Sequence, residues 1–150
     1  MASELHLAES LGQRVWISAP PCFPATSFTF NSLLTLAPPV GHMPFGKVDA
    51  LRDQSNYANQ IFQRYSSTIA AHFYGHSHVD EFEIAYPDYH DQRAETANGI
   101  AFMSGALTPA SGNPVWRSYD VDPDTYEVMD FTPYYSAYHE SFPFLSDLER

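Results

Sequence analysis

AAHFYGHSHVDEFEIAY, residues 70–86, decides how the rest of the chain is read. A run of small and aromatic residues stops at Gly75, and two imidazoles, His76 and His78, follow with one residue between them. Neutral imidazole is the commonest nitrogen ligand of Zn and its neighbours. A buried strand ending in a tight turn can hold two such rings with little side-chain entropy left to lose. Gly75 is expected to supply the turn, and Asp80, Glu81 and Glu83 open the next strand, where they can accept the free ring N–H groups of liganding histidines. Because the chain has seven histidines, His-x-His alone reads equally as a solvated turn. The metal reading gains from a second glycine-hinged histidine upstream, Gly41-His42 in GHMPFG, which also follows an apolar segment. Two glycine-hinged histidine turns, each at the end of an apolar segment, are better evidence for a metal site than either alone.

Composition bounds what such a site can serve. At 150 residues the chain can hold one domain with a real core. Hydrophobic residues make up 44% and aromatic residues 15%, against 17% charged, which excludes a disordered chain. The formal charge of -11 disfavours nucleic acid and anionic membrane surfaces as partners of the bulk protein, yet suits an enzyme that meets an anionic substrate through bound metal. A single cysteine, Cys22, excludes an internal disulfide. The amino terminus lacks the basic start and uninterrupted apolar core of a signal peptide, and no run has the length of a membrane span.

Around the histidine turns, periodicity predicts a mixed α/β order. Residues 3–11 carry Leu5, Leu7, Ala8 and Leu11 at helical steps, with Ser3 as N-cap and Gly12 as stop. Residues 15–17 begin a buried strand. Residues 18–40 have no charge and five prolines in twenty-three positions, follow no period, and are expected to be an irregular insert. Residues 55–66 place Tyr57, Ala58, Ile61, Phe62 and Tyr65 on one helical face. Strands are predicted at 69–74, 79–86, 100–103, 115–121 and 126–132, the last two joined by a turn at Asp122-Pro123-Asp124. All six are expected in one sheet with the histidines on one edge. His72 reads as a core residue and His90 and His139 as solvated. Ser104 and Ser111 lack a nucleophile-elbow context, so no catalytic side chain is assigned.

Taken together, GHMPFG and GHSH resemble the last two metal-binding motifs of the calcineurin-like metallophosphoesterases. HFYGHSHVDEFEI, the helix text NYANQIFQRYSSTIAA and GALTPASGNPVWRSYDVDPDTYEV narrow the resemblance to acid sphingomyelinase-like phosphodiesterases. The resemblance implies the carboxy-terminal half of a β-sandwich flanked by helices. Residues 1–17 would give a helix and strand of a partial domain, 41–132 its carboxy-terminal part, and 133–150 an aromatic tail. By the same resemblance His42 and His76 serve one Zn and His78 a second, and the substrate is sphingomyelin or another phosphodiester. Family members are secreted or lysosome-like in location. The Asp-x-His, Gly-Asp and Asn-His motifs of the family's amino-terminal half are absent, so the chain is expected to be inactive alone and to contact a missing half. Residues 18–40, where the family passes almost directly from strand to turn, resemble translated non-coding text. Another calcineurin-like phosphatase, acting on polyphosphate or nucleotides, and a non-enzymatic remnant are the alternative readings.

Overall fold

A computed structural model of the chain describes residues 1–18, 43–44, 46, 51–108 and 113–137. Their order is α1 (Ala2–Ser10), β1 (Val15–Ser18), α2 (Arg52–Arg64), β2 (Ile69–Tyr74), β3 (Glu81–Ala85), a 3-10 turn at Ala94–Thr96, β4 (Gly99–Met103), β5 (Val115–Val121) and β6 (Val128–Tyr135). The strands make two sheets, not the single sheet expected: a four-stranded one in the order β1-β2-β4-β3 and the hairpin β5-β6. In the larger sheet β1, β2 and β4 are parallel and β3 runs antiparallel to β4 on the outside. The fold is α/β, in three layers.

One face of the four-stranded sheet is covered by the helices. Leu5 and Ala8 of α1 and Phe62 of α2 form a buried cluster with Val15, Ile17, Ile69 and Ala85, and Ala58, Ile61 and Tyr65 pack against its rim. Leu7 and Leu11, expected on the same face of α1, are exposed. A nine-residue helix with two buried side chains owes its stability to that packing, since isolated helices so short are marginal in water. Gly12 ends it as expected, at φ 65°, donating its N–H to Glu9 O at 3.1 Å. Arg64 then ties α2 to α1 by two bonds to the Glu9 carboxylate, 2.8 and 3.1 Å.

The hairpin covers the other face. Tyr119 packs edge-on against Phe73 and Phe102, with centroids 4.9 and 5.5 Å apart, and Phe131 meets Phe102 at 5.9 Å. Trp16 of β1 closes this layer: its ring lies 5.5 Å from Phe73 and its Nε1 donates to Tyr126 O at 2.7 Å. The hairpin turn is fixed by Asp122, whose Oδ1 accepts from the amides of Asp124 and Thr125 at 2.8 and 2.9 Å. These two amides hold the Asp122 carboxyl below the usual range. Strand β6 runs on through Tyr134 and Tyr135, beyond the end expected at Thr132, so these aromatics belong to a strand.

The hairpin stops short of β3. Phe82 pairs with Phe102 and Ile84 with Ile100, which places Phe82 and Ile84 on the hairpin's side of the sheet, but they are 58% and 37% exposed. Glu81 and Glu83, on the helix side, are the more covered residues. Among the described residues no strand pairs with the outer edge of β3. No helix among them is long and apolar enough to cross a membrane. Beyond Ser18, which belongs to β1, the segment 18–40 lies outside the described residues.

Candidate metal centre

Because β1, β2 and β4 are parallel, their carboxyl ends share one edge of the sheet, the side on which open α/β sheets bind their ligands. Three segments leave from it: β1 at Ser18, β2 into Gly75-His76-Ser77-His78, and β4 into Ser104 and Gly105. The register sets Tyr74, the last residue of β2, beside Met103, the last of β4, and Met103 beside Glu81, the first of β3. The GHSH turn therefore stands on a floor formed by three strand ends. Tyr74 and Met103 are buried beneath it, with Met103 fully so.

The turn is not built as the sequence predicts. Gly75 does not adopt a left-handed backbone; the two histidines do, with φ 81° at His76 and 59° at His78. L-residues with a side chain pay about 1–2 kcal/mol for this conformation, and such residues persist where the surrounding structure fixes them, often at functional sites. The turn is closed locally, with Ser77 N donating to Gly75 O at 3.1 Å and Val79 N to Ser77 Oγ at 3.3 Å. His76 is partly covered and His78 exposed. Replacing His78 by glycine should accordingly raise stability by up to about 1 kcal/mol, because glycine adopts positive φ without the Cβ penalty. Chemical denaturation of both proteins checks this, and a destabilised variant would show that the His78 ring contributes more than its backbone costs.

Part of the upstream GHMPFG motif is described. Pro44 is fully buried, and Gly46, at φ 87°, donates its N–H to Ser55 Oγ at 2.7 Å at the start of α2. A Cβ built on Gly46 would lie 3.5 Å from Glu83 Oε1, so the motif lies against β3, the strand that follows the GHSH turn. His42 itself, the third expected ligand, lies outside the described residues, as does His139. Among the described residues no group of three or more His, Cys, Asp and Glu converges to hold a metal. In donor chemistry His76 and His78 fit a Zn ion as two neutral ligands of a set that needs more.

Of the acidic residues expected to support the rings, Asp80 is engaged elsewhere: its carboxylate pairs with Arg117 of β5, whose side chain is only 2% exposed. Sequence reading missed Arg117. The available signal was its position in VWRSYDV, on the alternating face it shares with Tyr119, where a charge stands among residues that pack inward. Glu83 lies close enough to Tyr74 to add to burial in pushing that phenol's pKa up. His72, one layer down in β2, is buried as expected and shares a 3.3 Å hydrogen bond through Nδ1 with the Tyr74 hydroxyl. Burial lowers its pKa from 6.5 to about 4, so the ring is neutral. His90 is exposed in a turn where its amide donates to Asp88 Oδ1 at 2.8 Å.

No family model matches the chain. It is 34% identical over 99 residues to sphingomyelin phosphodiesterase 1 of Caenorhabditis elegans, covering 65% of this chain and 17% of the relative. It is 36% identical over 101 residues to sphingomyelin phosphodiesterase B of Dictyostelium discoideum, covering 65% and 16%. With the cyclic GMP-AMP phosphodiesterase SMPDL3A of Rattus norvegicus the identity is 35% over 106 residues, covering 65% and 23%. The matched part thus spans between a sixth and a quarter of these relatives, 16–23% of their length. At 34–36% identity over 65% of its residues, the chain is similar to the acid sphingomyelinase-like phosphodiesterases, a partial likeness that supports membership of that family.

Proposed function

We propose that this chain carries part of the metal site of a phosphodiesterase, with His42, His76 and His78 as ligands of Zn, and that it does not hydrolyse phosphodiesters by itself. The observation that carries the reading is the GHSH turn at the shared carboxyl edge of three parallel strands, with both histidines held in left-handed backbone. Strand β2 and the packed pair Tyr74 and Met103 fix the base of the turn, so His76 and His78 are offered to a ligand from a rigid floor. A bound metal pair would supply charge for the phosphate oxygens and a water acidic enough to attack at neutral pH. What the chain's own residues do is narrower. His76 and His78 bind the metal through their ring nitrogens, and the acid for the leaving alkoxide comes from elsewhere.

A phosphodiester is the substrate class common to the relatives' names, two of which specify sphingomyelin and one a cyclic dinucleotide. The proposed substrate is therefore a phosphodiester such as sphingomyelin, met on the carboxyl edge of the sheet, with the remaining ligands and the acid supplied by a further polypeptide segment contacting this one. A secreted or lysosome-like location goes with the same proposal.

In a Zn titration followed by calorimetry, weak binding should be lost in His76→Ala and in His78→Ala and retained in His90→Ala. Equal losses in all three would reduce the binding to scattered surface contacts. The purified chain with added Zn should not turn over sphingomyelin or a chromogenic phosphodiester. A version with residues 18–39 removed and the family's amino-terminal motifs supplied should do so. Missing electrostatic stabilisation and a missing general acid each cost about two or more orders of magnitude in rate. Zn-dependent turnover by the chain alone, abolished in His76→Ala, would overturn the proposal of an incomplete site.

A further inference from the structure

We infer that Arg117 is a positioning residue for the GHSH turn, clamping the turn's carboxyl end to the second sheet through Asp80; this rests on the reading of His76 and His78 as ligands. Arg117 stands in β5, on the face that packs against the larger sheet, and its side chain is 2% exposed. Its Nη2 pairs with Asp80, its Nη1 lies 3.5 Å from the Tyr119 hydroxyl, and its Cζ lies over the Phe131 ring, 4.5 Å from the centroid. Its Nε is buried with no hydrogen-bond partner among the described residues.

A cation in that place is a poor way to stabilise a layer made of Phe73, Phe102, Tyr119 and Phe131. Desolvating a guanidinium and leaving one donor unmatched offsets what the pair gains, and an apolar side chain of similar volume generally does as well or better. What the ion pair supplies that an apolar residue does not is direction. A forked guanidinium held over an aromatic ring donates to a carboxylate in one place. Asp80 is two residues beyond His78 and immediately precedes β3. The segment from Gly75 to Asp80 is thus pinned at one end by β2 and at the other by Arg117, with the two left-handed histidines between the pins. Release of the second pin lets the backbone relax toward right-handed or extended conformations, carrying the rings with it.

The experiment is amide hydrogen exchange on the full chain, resolved by residue, for wild type, Arg117→Met, Arg117→Lys, Asp80→Asn and the Arg117→Met/Asp80→Asn double variant. Exchange should accelerate about tenfold at residues 76–80 relative to the amides of β1 and β2 in Arg117→Met and in Asp80→Asn. The double variant should add nothing to either single change, and Arg117→Lys, which keeps the charge without the fork, should fall between. Where Arg117→Met does not fold, Asp80→Asn and Arg117→Lys carry the same comparison. Acceleration spread evenly over the chain, or additive effects in the double variant, would make Arg117 an anchor of the fold and overturn the inference. Co(II) absorption gives the second readout, with altered bands at saturating metal in Asp80→Asn and partial return in Arg117→Lys. A wild-type chain that shows no Co(II) bands defeats the ligand reading, while the exchange pattern still decides the clamp.

Discussion

Acidification from pH 6.5 to pH 4 should remove about 3 kcal/mol of stability through His72 alone. The ring is 4% exposed, with Phe62 edge-on at 4.5 Å and Tyr74 stacked at 6.0 Å. Charging it there means desolvating an imidazolium among aromatic rings, which is why the folded chain delays protonation to about pH 4. The unfolded chain has no such barrier and takes up the proton near pH 6.5. Between those values the unfolded state binds more protons, and stability falls by about 1.4 kcal/mol for each unit of pH lost; above pH 6.5 the contribution is constant. Urea denaturation across this range, for wild type and for His72→Gln, separates this group from the carboxylates that titrate nearby. The difference between the two curves should shrink toward low pH with that slope. Parallel curves would mean that the fold accepts the charged ring. An acidic compartment, as proposed for the assembled enzyme, would make this chain depend on its partners for stability.

Replacing Met103 by alanine should cost about 3 kcal/mol, within the range of roughly 2–5 kcal/mol seen when a fully buried Met, Leu or Ile is truncated. Met103 has no exposed surface and lies where β2, β4 and β3 meet, beside Tyr74 and Glu81 in the register. Its neighbours are held by strand pairing on both sides, so they collapse poorly into the space left behind. For a domain of this size that is a large share of the total. Met103→Leu, which conserves volume, should cost less than about 1.5 kcal/mol. Thermal unfolding of the two variants tests this, and similar values for both would mean that the site is loosely packed. The same truncation should weaken Zn binding, since it undermines the floor of the GHSH turn.

Much of this architecture is legible from periodicity. The strands at 69–74 and 115–121 begin and end where the sequence places them, since each is a run of apolar or alternating residues bounded by Gly, Pro or Asp. The partition into two sheets is not legible in this way. A period of two says that a strand has two faces, but not whether it pairs edge to edge with a neighbour or lies flat upon it. For the same reason β3 reads correctly as alternating, while its apolar face turns out to be the exposed one, beyond the reach of the hairpin. At the candidate site, the turn that carries His76 and His78 is legible from a glycine that ends an aromatic strand. The left-handed backbone is not, because the sequence offers Gly75 as the easier place for it. Arg117 escaped because its partner lies thirty-seven positions earlier, and no local pattern spans that separation.

The exposed apolar face of β3 also bears on how copies of this chain behave toward one another. Among the described residues no strand pairs with the outer edge of β3, and an edge strand with exposed Phe82 and Ile84 favours strand addition. Glu81 and Glu83 stand on the same strand, and the whole chain carries a formal charge of -11, so approaching copies repel. Salt weakens that repulsion, with a screening length of about 8 Å at physiological ionic strength, and leaves the apolar attraction intact. Colloidal stability in this protein is therefore governed by ionic strength as much as by the integrity of its fold.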